Sequence, residues 1–250
     1  MFDTGLRRAL IEAAGTSRLL VTSDFDGTLA PIVADPADAR PLPEAAAALE
    51  TLAALPDTDA ALISGRELAV LRELSSASPA VHAVGSHGAE FDTGFVHDID
   101  TALLDEIITT LRSIAENRPG TAVETKPASV ALHVRNASAA DGEAALAAAH
   151  EAAASWDAHL TEGKAVLEFA VIVTDKGEAL DVLRDRCAAT TVVFLGDDVT
   201  DEKAFRRMRR GDIGVKVGPG ESQAEYRVES PADVAAVLGL LAAERTRRLA

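Results

Sequence analysis

Two carboxylates lie close together after a short apolar stretch near the start of the chain. The stretch Arg18–Ser23 is typical of a buried strand, and the motif DFDGT, with Asp24 and Asp26, follows it directly. Carboxylates two residues apart at a strand end project towards one point, where they could attack or protonate a reacting group. Asp-Gly is also ordinary turn chemistry at a strand end, so the motif alone leaves a structural role open.

A denser acidic segment follows another apolar stretch late in the chain. The motif GDDVTDE, from Gly196 to Glu202, carries five oxygen-bearing side chains in six residues. These carboxylates repel one another unless a hard divalent cation neutralises them. The helix dipole favours acidic residues in a first helical turn, which accounts well for Asp201 but poorly for Asp197 and Asp198. The segment therefore predicts a divalent-cation site.

Hydroxyl and basic groups stand at two further boundaries between predicted elements. Ser64-Gly65-Arg66 follows the predicted strand Asp59–Ile63, and Lys176 precedes a predicted helix. Ser64 could bind a phosphate or could simply be the N-cap of the next helix. A cation at a helix start opposes the dipole, which indicates a purpose for Lys176 beyond solvation.

The elements that would position these motifs form two kinds of pattern. Strand, polar turn and helix repeat at the start of the chain and again from Lys176, which is typical of parallel βαβ units that bind ligands at the carboxyl ends of their strands. Between them, the predicted strands Ala122–Thr125 and Ser129–Val134 are neighbours in sequence, which indicates an antiparallel insert. We therefore predict an α/β fold with a discontinuous core at 1–93 and 174–250 and an inserted α+β cap at 94–173.

The composition is that of an acidic globular protein. The formal net charge of −16 repels phosphate backbones and anionic lipids, which argues against nucleic-acid and membrane partners. A phosphorylated substrate is repelled as well, so local cations must offset this field. The single cysteine, Cys187, favours a reducing, cytoplasmic location, and the N-terminal segment lacks the apolar run of a secretory signal. We expect a monomer.

Charged residues alternate along the predicted strands of the insert. Residues two apart on a strand share a face, so Glu124 and Lys126 point together, as do His133 and Arg135. Such alternation also marks the solvated side of an antiparallel sheet. The insert residues therefore leave both a binding role and a purely solvated role open.

Four motifs, in this order, resemble those of a known superfamily. DFDGT (Asp24 to Thr28), SGR (Ser64 to Arg66), DKG (Asp175 to Gly177) and GDDVTDE (Gly196 to Glu202) look like the core motifs of haloacid-dehalogenase phosphatases. Within that superfamily, GSHGAE (Gly85 to Glu90) and the insert motifs look like those of trehalose-6-phosphate phosphatases. The resemblance extends from about Leu20 to Val217 and implies a Rossmann-like parallel-sheet core with a cap that selects the substrate.

The resemblance implies a magnesium-dependent hydrolysis of a phosphate ester through an aspartyl-phosphate. Asp24 would be the nucleophile, and Asp26 the general acid and base. Mg²⁺ would be held by the Asp24 carboxylate, the Asp26 main-chain carbonyl and Asp197. The phosphate would be bound by Ser64, Gly65 and Lys176. Asp198, Asp201 and Thr28 would orient the groups that bind the phosphate and the metal.

The resemblance also implies trehalose 6-phosphate as the substrate. Ala170 stands where the family usually has a basic residue, and three alternatives stay open. The first is a phosphatase for another sugar or pseudo-disaccharide phosphate, of the sucrose, glucosylglycerol or mannosylglycerate type, and the others are a phosphomutase and a non-catalytic sugar-phosphate sensor. The residues expected to contact the substrate are Arg66, His87, Glu90, Glu124, Lys126, His133, Arg135, Lys164 and Glu168.

Overall fold

The computed structural model describes residues 3–249. Met1, Phe2 and Ala250, which the predicted core ranges include, lie outside the described residues. The chain divides into two compact units: the first runs up to Gly94 and resumes at Thr174, and the second is Phe95–Val173. Over residues 3–249, no helix combines the length and the apolar character needed to cross a bilayer.

Helices and strands alternate over most of the chain. The α-helices are α1 (Thr4–Ala13), α2 (Pro43–Ala53), α3 (Leu68–Ser75), α4 (Thr101–Glu116), α5 (Ala139–Ala153), α6 (Lys176–Arg186), α7 (Asp201–Phe205) and α8 (Pro231–Leu249). The strands are β1 (Leu19–Ser23), β2 (Thr58–Ile63), β3 (Val81–Gly85), β4 (Glu90–Phe91), β5 (Gly94–Phe95), β6 (Ala122–Thr125), β7 (Ser129–His133), β8 (His159–Gly163), β9 (Val166–Ala170), β10 (Thr191–Gly196), β11 (Ile213–Val217) and β12 (Tyr226–Val228). Short 3₁₀ turns occur at Pro36–Asp38 and Ser86–Gly88.

The largest sheet has the strand order β12-β11-β10-β1-β2-β3-β4-β5. Its strands run parallel from β12 through β3, and β4 pairs antiparallel with β3. All of β1 is buried, because helices cover both faces of the sheet. The predicted α/β fold with a parallel sheet is therefore confirmed.

Apolar contacts fix the helices on both sides of this sheet. On one face, Val21 of β1 belongs to a buried cluster that includes Leu6 of α1, Leu52 of α2 and Leu238 of α8. On the other face, the ring of Phe194 in β10 meets the Phe205 ring of α7 edge-on, with centroids 5.3 Å apart. Burying each of these large side chains contributes about 2 kcal/mol, so the sheet forms a rigid support for the loops at its ends.

The strand register brings the sequence motifs to one edge of the sheet. Ser23, the last residue of β1, is paired with Leu62 of β2 and with Leu195 of β10. Since the strands are parallel, the loops that follow them leave the sheet side by side. In the sheet, β2 and β10 lie on opposite sides of β1, so the strand order changes direction at β1. The carboxyl ends of the strands beside such a switch point are where α/β proteins bind ligands.

The second unit is an antiparallel sheet of order β6-β7-β9-β8 with two helices, α4 and α5. Leu132 and Phe169 point from one face of the sheet into a buried cluster with Leu111 of α4 and Ala149 of α5. The Trp156 ring meets the Phe169 ring edge-on at a centroid distance of 5.2 Å. The other face carries the polar residues, which leaves them outside this apolar core.

Four strands were not predicted from the sequence: β4 and β5, which are two residues long each, and β8 and β12. β8 reads HLTEG and none of its residues is fully buried, because it is the edge strand of the second sheet. It therefore lacks the apolar run that identifies a strand in sequence. β12 is only three residues long, and it too lies at a sheet edge. Edge strands need to bury little surface, so their sequences resemble loops.

Candidate active site

A buried ion pair lies just beyond β1. Asp24 is 4% exposed and Lys176 is 2% exposed, and the Lys176 Nζ lies 2.8 Å from Asp24 Oδ1. The same ammonium lies 2.8 Å from Oδ1 of Asp201, which is fully buried at the start of α7. One cation therefore separates two carboxylates that would otherwise repel each other.

The ionisation of this pair reflects opposing effects of burial and charge. Burial raises the pKa of Asp24 to about 8, although the Lys176 ammonium acts to lower it. Burial acts to lower the pKa of Lys176, but the neighbouring carboxylates outweigh it and leave that pKa above its ordinary value. Lys176 is therefore a cation at neutral pH. A divalent metal beside Asp24 would favour the ionised form of its carboxylate.

Three carboxylates converge at this edge of the sheet. Oxygen atoms of Asp24, Asp197 and Asp201 lie within 4.8 Å of one another. Both oxygens of Asp201 already accept hydrogen bonds, one from Lys176 and the other from the main-chain N–H of Asp198 at 2.8 Å. Asp201 therefore supports its neighbours, whereas Asp24 and Asp197 are better placed to bind a cation.

Asp197 is held so that one of its oxygens can face a metal. Its Oδ1 accepts a hydrogen bond of 2.8 Å from Thr28 Oγ1, and burial raises the pKa of its carboxyl group. Asp24 Oδ1 likewise accepts from Lys176 and from the Phe25 N–H. These bonds leave Oδ2 of Asp24 and Oδ2 of Asp197 as the two atoms best suited to a hard divalent cation.

Gly27 is the residue that allows Asp197 to approach the DFDGT loop. Its φ is +79°, and a Cβ at this position would lie 2.2 Å from Asp197 Oδ2. Positive φ favours glycine on steric grounds. The close approach is a second and independent reason for glycine here.

Replacing Gly27 by alanine should therefore impair metal binding more than folding. We expect Gly27→Ala to lower Mg²⁺ affinity by at least about tenfold, because the new methyl group displaces a carboxylate of the site. Gly218→Ala is the matched control: its φ is +72°, but a Cβ there meets nothing within 4 Å. Calorimetric Mg²⁺ titration and thermal unfolding of both variants would separate the effects, and equal Mg²⁺ affinities would contradict the predicted clash.

Asp26, the second acidic residue of the motif, is paired with Arg66. The Arg66 Nε lies 2.7 Å from Asp26 Oδ2, and its second nitrogen lies 2.6 Å from Oδ1. This two-pronged hydrogen bond raises the pKa of Arg66. The guanidinium also lies 5.7 Å from the centroid of the Phe25 ring. The Asp26 side chain thus points to Arg66 rather than to the three carboxylates.

The SGR motif packs against the GSHGAE motif. Ser64 is 1% exposed at the end of β2, and its Oγ accepts a hydrogen bond from the main chain two residues on. A Cβ on Gly65 would lie 2.4 Å from a ring carbon of His87, so the two residues touch. The Glu90 carboxylate accepts a 2.9 Å hydrogen bond from the Leu68 N–H at the start of α3. Glu90 therefore caps a helix, a role that the sequence did not indicate.

Lys216 is a site residue that the sequence analysis missed. It is 5% exposed in β11, and its Nζ donates to the main-chain carbonyl of Asp197. The sequence did contain an indication of this role, because a lysine in the otherwise apolar strand IGVKV is not explained by packing of the strand. Asp198 accepts from the Val199 N–H at 2.6 Å and so shapes the turn that carries Asp197.

The polar residues of the second unit share one face of its sheet. Glu124, Ala131, Glu168 and Thr161 face one another across its four strands. The Lys126 Nζ and the Ser129 Oγ lie 2.9 and 2.7 Å from Glu168 Oε1. A second pair joins His133 Nε2 to Glu124 Oε2 at 2.8 Å. Arg135, just past β7, and Lys164, in the β8–β9 turn, are exposed.

Known proteins match nearly the whole chain. The Trehalose-phosphatase family matches residues 22–232. A trehalose-phosphate phosphatase from Mycobacterium marinum is 37% identical over 91% of this chain and 62% of its own length. The Escherichia coli trehalose-6-phosphate phosphatase is 34% identical over 84% of this chain and 82% of its own. In structure, trehalose-6-phosphate phosphatase from Aspergillus fumigatus is 27% identical with a TM-score of 0.71, covering 95% of this chain and 97% of that one.

The extent of these matches differs between relatives. The chain spans about three-fifths of the length of the Mycobacterium marinum and Mycobacterium ulcerans relatives, but most of the Escherichia coli protein. The match to the family includes the end of β1 and all of β2, α6 and β10, and the four motifs adjoin these elements. The resemblance seen in the sequence is thereby confirmed, and the chain belongs to the trehalose-phosphatase family.

Proposed function

We propose that this protein is a magnesium-dependent phosphatase that hydrolyses trehalose 6-phosphate to trehalose and phosphate. The observation that carries the proposal is the buried carboxylate of Asp24 in contact with Lys176 and within 4.8 Å of Asp197. A solvent-poor site with a carboxylate, an ammonium and a potential metal site suits phosphoryl transfer, which depends on positioning and charge stabilisation.

Asp24 is the proposed nucleophile. Its carboxylate attacks phosphorus, the bond to the sugar oxygen breaks, and an aspartyl-phosphate forms. Water then attacks this phosphorus and releases phosphate, which restores the carboxylate. The hydrogen bonds to Oδ1 from Lys176 and Phe25 hold the carboxylate in one orientation.

Asp26 is the proposed general acid and base. It protonates the leaving sugar oxygen and then takes a proton from the attacking water. Its side chain is 35% exposed, so a substrate can reach it. Arg66 fixes both Asp26 oxygens, and the ion pair has to loosen when the carboxyl group carries a proton.

The donor set fits Mg²⁺. Carboxylate oxygens of Asp24 and Asp197, with the Asp26 main-chain carbonyl, are the hard ligands that this ion prefers. When bound, it would supply the positive charge that offsets the repulsion between a carboxylate nucleophile and a phosphate dianion. Lys176 and the Ser64 hydroxyl bind the phosphoryl oxygens, and Asp201 keeps the Lys176 ammonium in place.

The choice of trehalose 6-phosphate rests on the relatives and on the chemistry of the second unit. The named relatives are trehalose-phosphate phosphatases, and the second unit presents a polar sheet face. There, Glu124, Lys126, His133 and Glu168 alternate acceptors and donors, which suits the many hydroxyls of a disaccharide. We assign sugar recognition to this face, together with the exposed Arg135 and Lys164.

Release of free phosphate across a panel of sugar phosphates tests the proposal. With Mg²⁺ present, we expect kcat/KM for trehalose 6-phosphate to exceed that for the sucrose, glucosylglycerol and mannosylglycerate phosphates by at least about 100-fold. A chelator should stop the reaction, and added Mg²⁺ should restore it. A higher kcat/KM for another sugar would overturn the substrate, and dependence on a sugar bisphosphate would indicate a mutase instead.

A further inference from the structure

A second cluster of potential metal ligands lies at the other end of the large sheet. Ligand atoms of Asp59, His82 and Cys187 fall within 4.8 Å of one another. Asp59 and His82 are the second residues of β2 and β3, near the amino ends of these strands. The residues proposed for phosphoryl transfer follow the carboxyl ends, so this cluster is separate from them.

The fold brings these three residues together from distant parts of the sequence. In the β2–β3 register His82 is paired with Ala61, so Asp59 lies on the same face of the sheet, one position diagonally away. Cys187 follows the last residue of α6 and is 5% exposed. Two contacts meet at His82 Nε2: Cys187 Sγ at 4.0 Å and Asp59 Oδ1 at 3.6 Å.

This geometry matches a metal site better than a catalytic relay. In a Cys-His-Asp relay, the thiol and the carboxylate contact different ring nitrogens, whereas here both approach Nε2. Around tetrahedral Zn²⁺, ordinary bond lengths separate sulfur from nitrogen by ~3.6 Å and nitrogen from oxygen by ~3.3 Å. The observed separations exceed these by a few tenths of an ångström, which small side-chain rotations can close.

We propose that Cys187, His82 and Asp59 bind a thiophilic divalent cation such as Zn²⁺, with one thiolate, one imidazole and one carboxylate ligand. The His82 and Asp59 side chains are 43% and 26% exposed, which gives the ion a path from solvent. A bound ion would tie the end of α6 to two strands of the large sheet.

Charged groups around the three proposed ligands affect how readily a metal ion binds there. Arg18 contacts Asp59 Oδ2 at 3.4 Å, which leaves Oδ1 directed towards His82. Arg186 instead stacks on the Phe91 ring, 4.5 Å from its centroid. Burial and the Asp59 carboxylate raise the pKa of the Cys187 thiol to about 12, so the ion must displace the thiol proton into solvent.

Cobalt absorption tests this site directly, because Cys187 is the single cysteine of the chain. The full chain is titrated with Co²⁺ in excess Mg²⁺, and the thiolate-to-cobalt charge-transfer band in the near ultraviolet is followed. We expect the band to saturate at one Co²⁺ per chain and to disappear when Zn²⁺ is added. Bound Zn²⁺ should also slow alkylation of Cys187.

Variants decide whether the three residues act together. His82→Ala and Asp59→Asn should each weaken Co²⁺ binding, measured by this band, at least about tenfold. His150→Ala is the matched control, since that imidazole is also 43% exposed and lies 3.4 Å from the Glu162 carboxylate; its Co²⁺ titration should be unchanged. No charge-transfer band, or equal affinity in His82→Ala and the unmodified protein, would overturn the proposal.

Discussion

Asp24→Asn should abolish phosphate release, by at least about 10⁴-fold in kcat, because an amide cannot form the acyl-phosphate on which the proposed reaction depends. The measurement is steady-state release of phosphate from trehalose 6-phosphate with saturating Mg²⁺. Asp181→Asn is a suitable control, since Asp181 lies on α6 and contacts Arg207 and Arg209 instead of the three carboxylates. Undiminished turnover in Asp24→Asn would remove this residue from its proposed role.

Stability measurements show whether the variant still folds. Asparagine has the size of aspartate, and burial disfavours the charged form of Asp24, whose pKa rises from 3.8 to about 8. Between pH 3.8 and about 8, the Asp24 carboxyl group therefore keeps its proton in the folded state, whereas it is ionised in the unfolded chain. In metal-free protein, the unfolding free energy of the unmodified chain should fall relative to Asp24→Asn as pH rises from 3.8 towards 8. An inactive variant of retained stability would assign the loss to chemistry.

The sequence predicted the strands correctly where a short apolar run is followed directly by a polar motif. β1, β2 and β10 are short apolar runs that end in polar motifs, so both the strands and the grouping of their loops could be predicted. Asp24, Ser64 and Asp197 directly follow those strands. Parallel pairing alone therefore brings them together at the carboxyl ends of the strands. The family resemblance then gave these residues their expected roles.

Contacts between side chains from separate segments could not be predicted in the same way. The pairing of Asp26 with Arg66 depends on how two separate loops position their side chains, and the spacing of residues in the sequence does not predict this. The resemblance implies a substrate contact for Glu90, and nothing in the sequence indicates the hydrogen bond that Glu90 accepts at the start of α3. The grouping of His82 with Cys187 likewise requires knowing that the residue after α6 lies beside β3.

Lys176→Met should be the most destabilising of the substitutions in the site. It leaves the buried Asp201 carboxylate, and the Asp24 carboxyl group beside it, without their shared ammonium, which costs about 3–5 kcal/mol of unfolding free energy. We also expect kcat to fall about 10²–10³-fold, because the charge that binds the phosphoryl oxygens is lost. Mg²⁺ should stabilise this variant more than the unmodified protein, since the site has become more negative.

Arg184→Met separates the two effects of Lys176→Met. Arg184 and Asp212 form another buried ion pair, with side chains 4% and 1% exposed and 2.5 Å between the charged atoms. Removing this cation should cost a similar unfolding free energy, measured by denaturant titration, yet leave kcat unchanged at a temperature where the protein is folded. If Lys176→Met also kept a normal kcat, Lys176 would only neutralise buried charge. A low kcat in Lys176→Met alone would place its ammonium on the reacting phosphate, since both variants lose a buried cation from the same helix, α6.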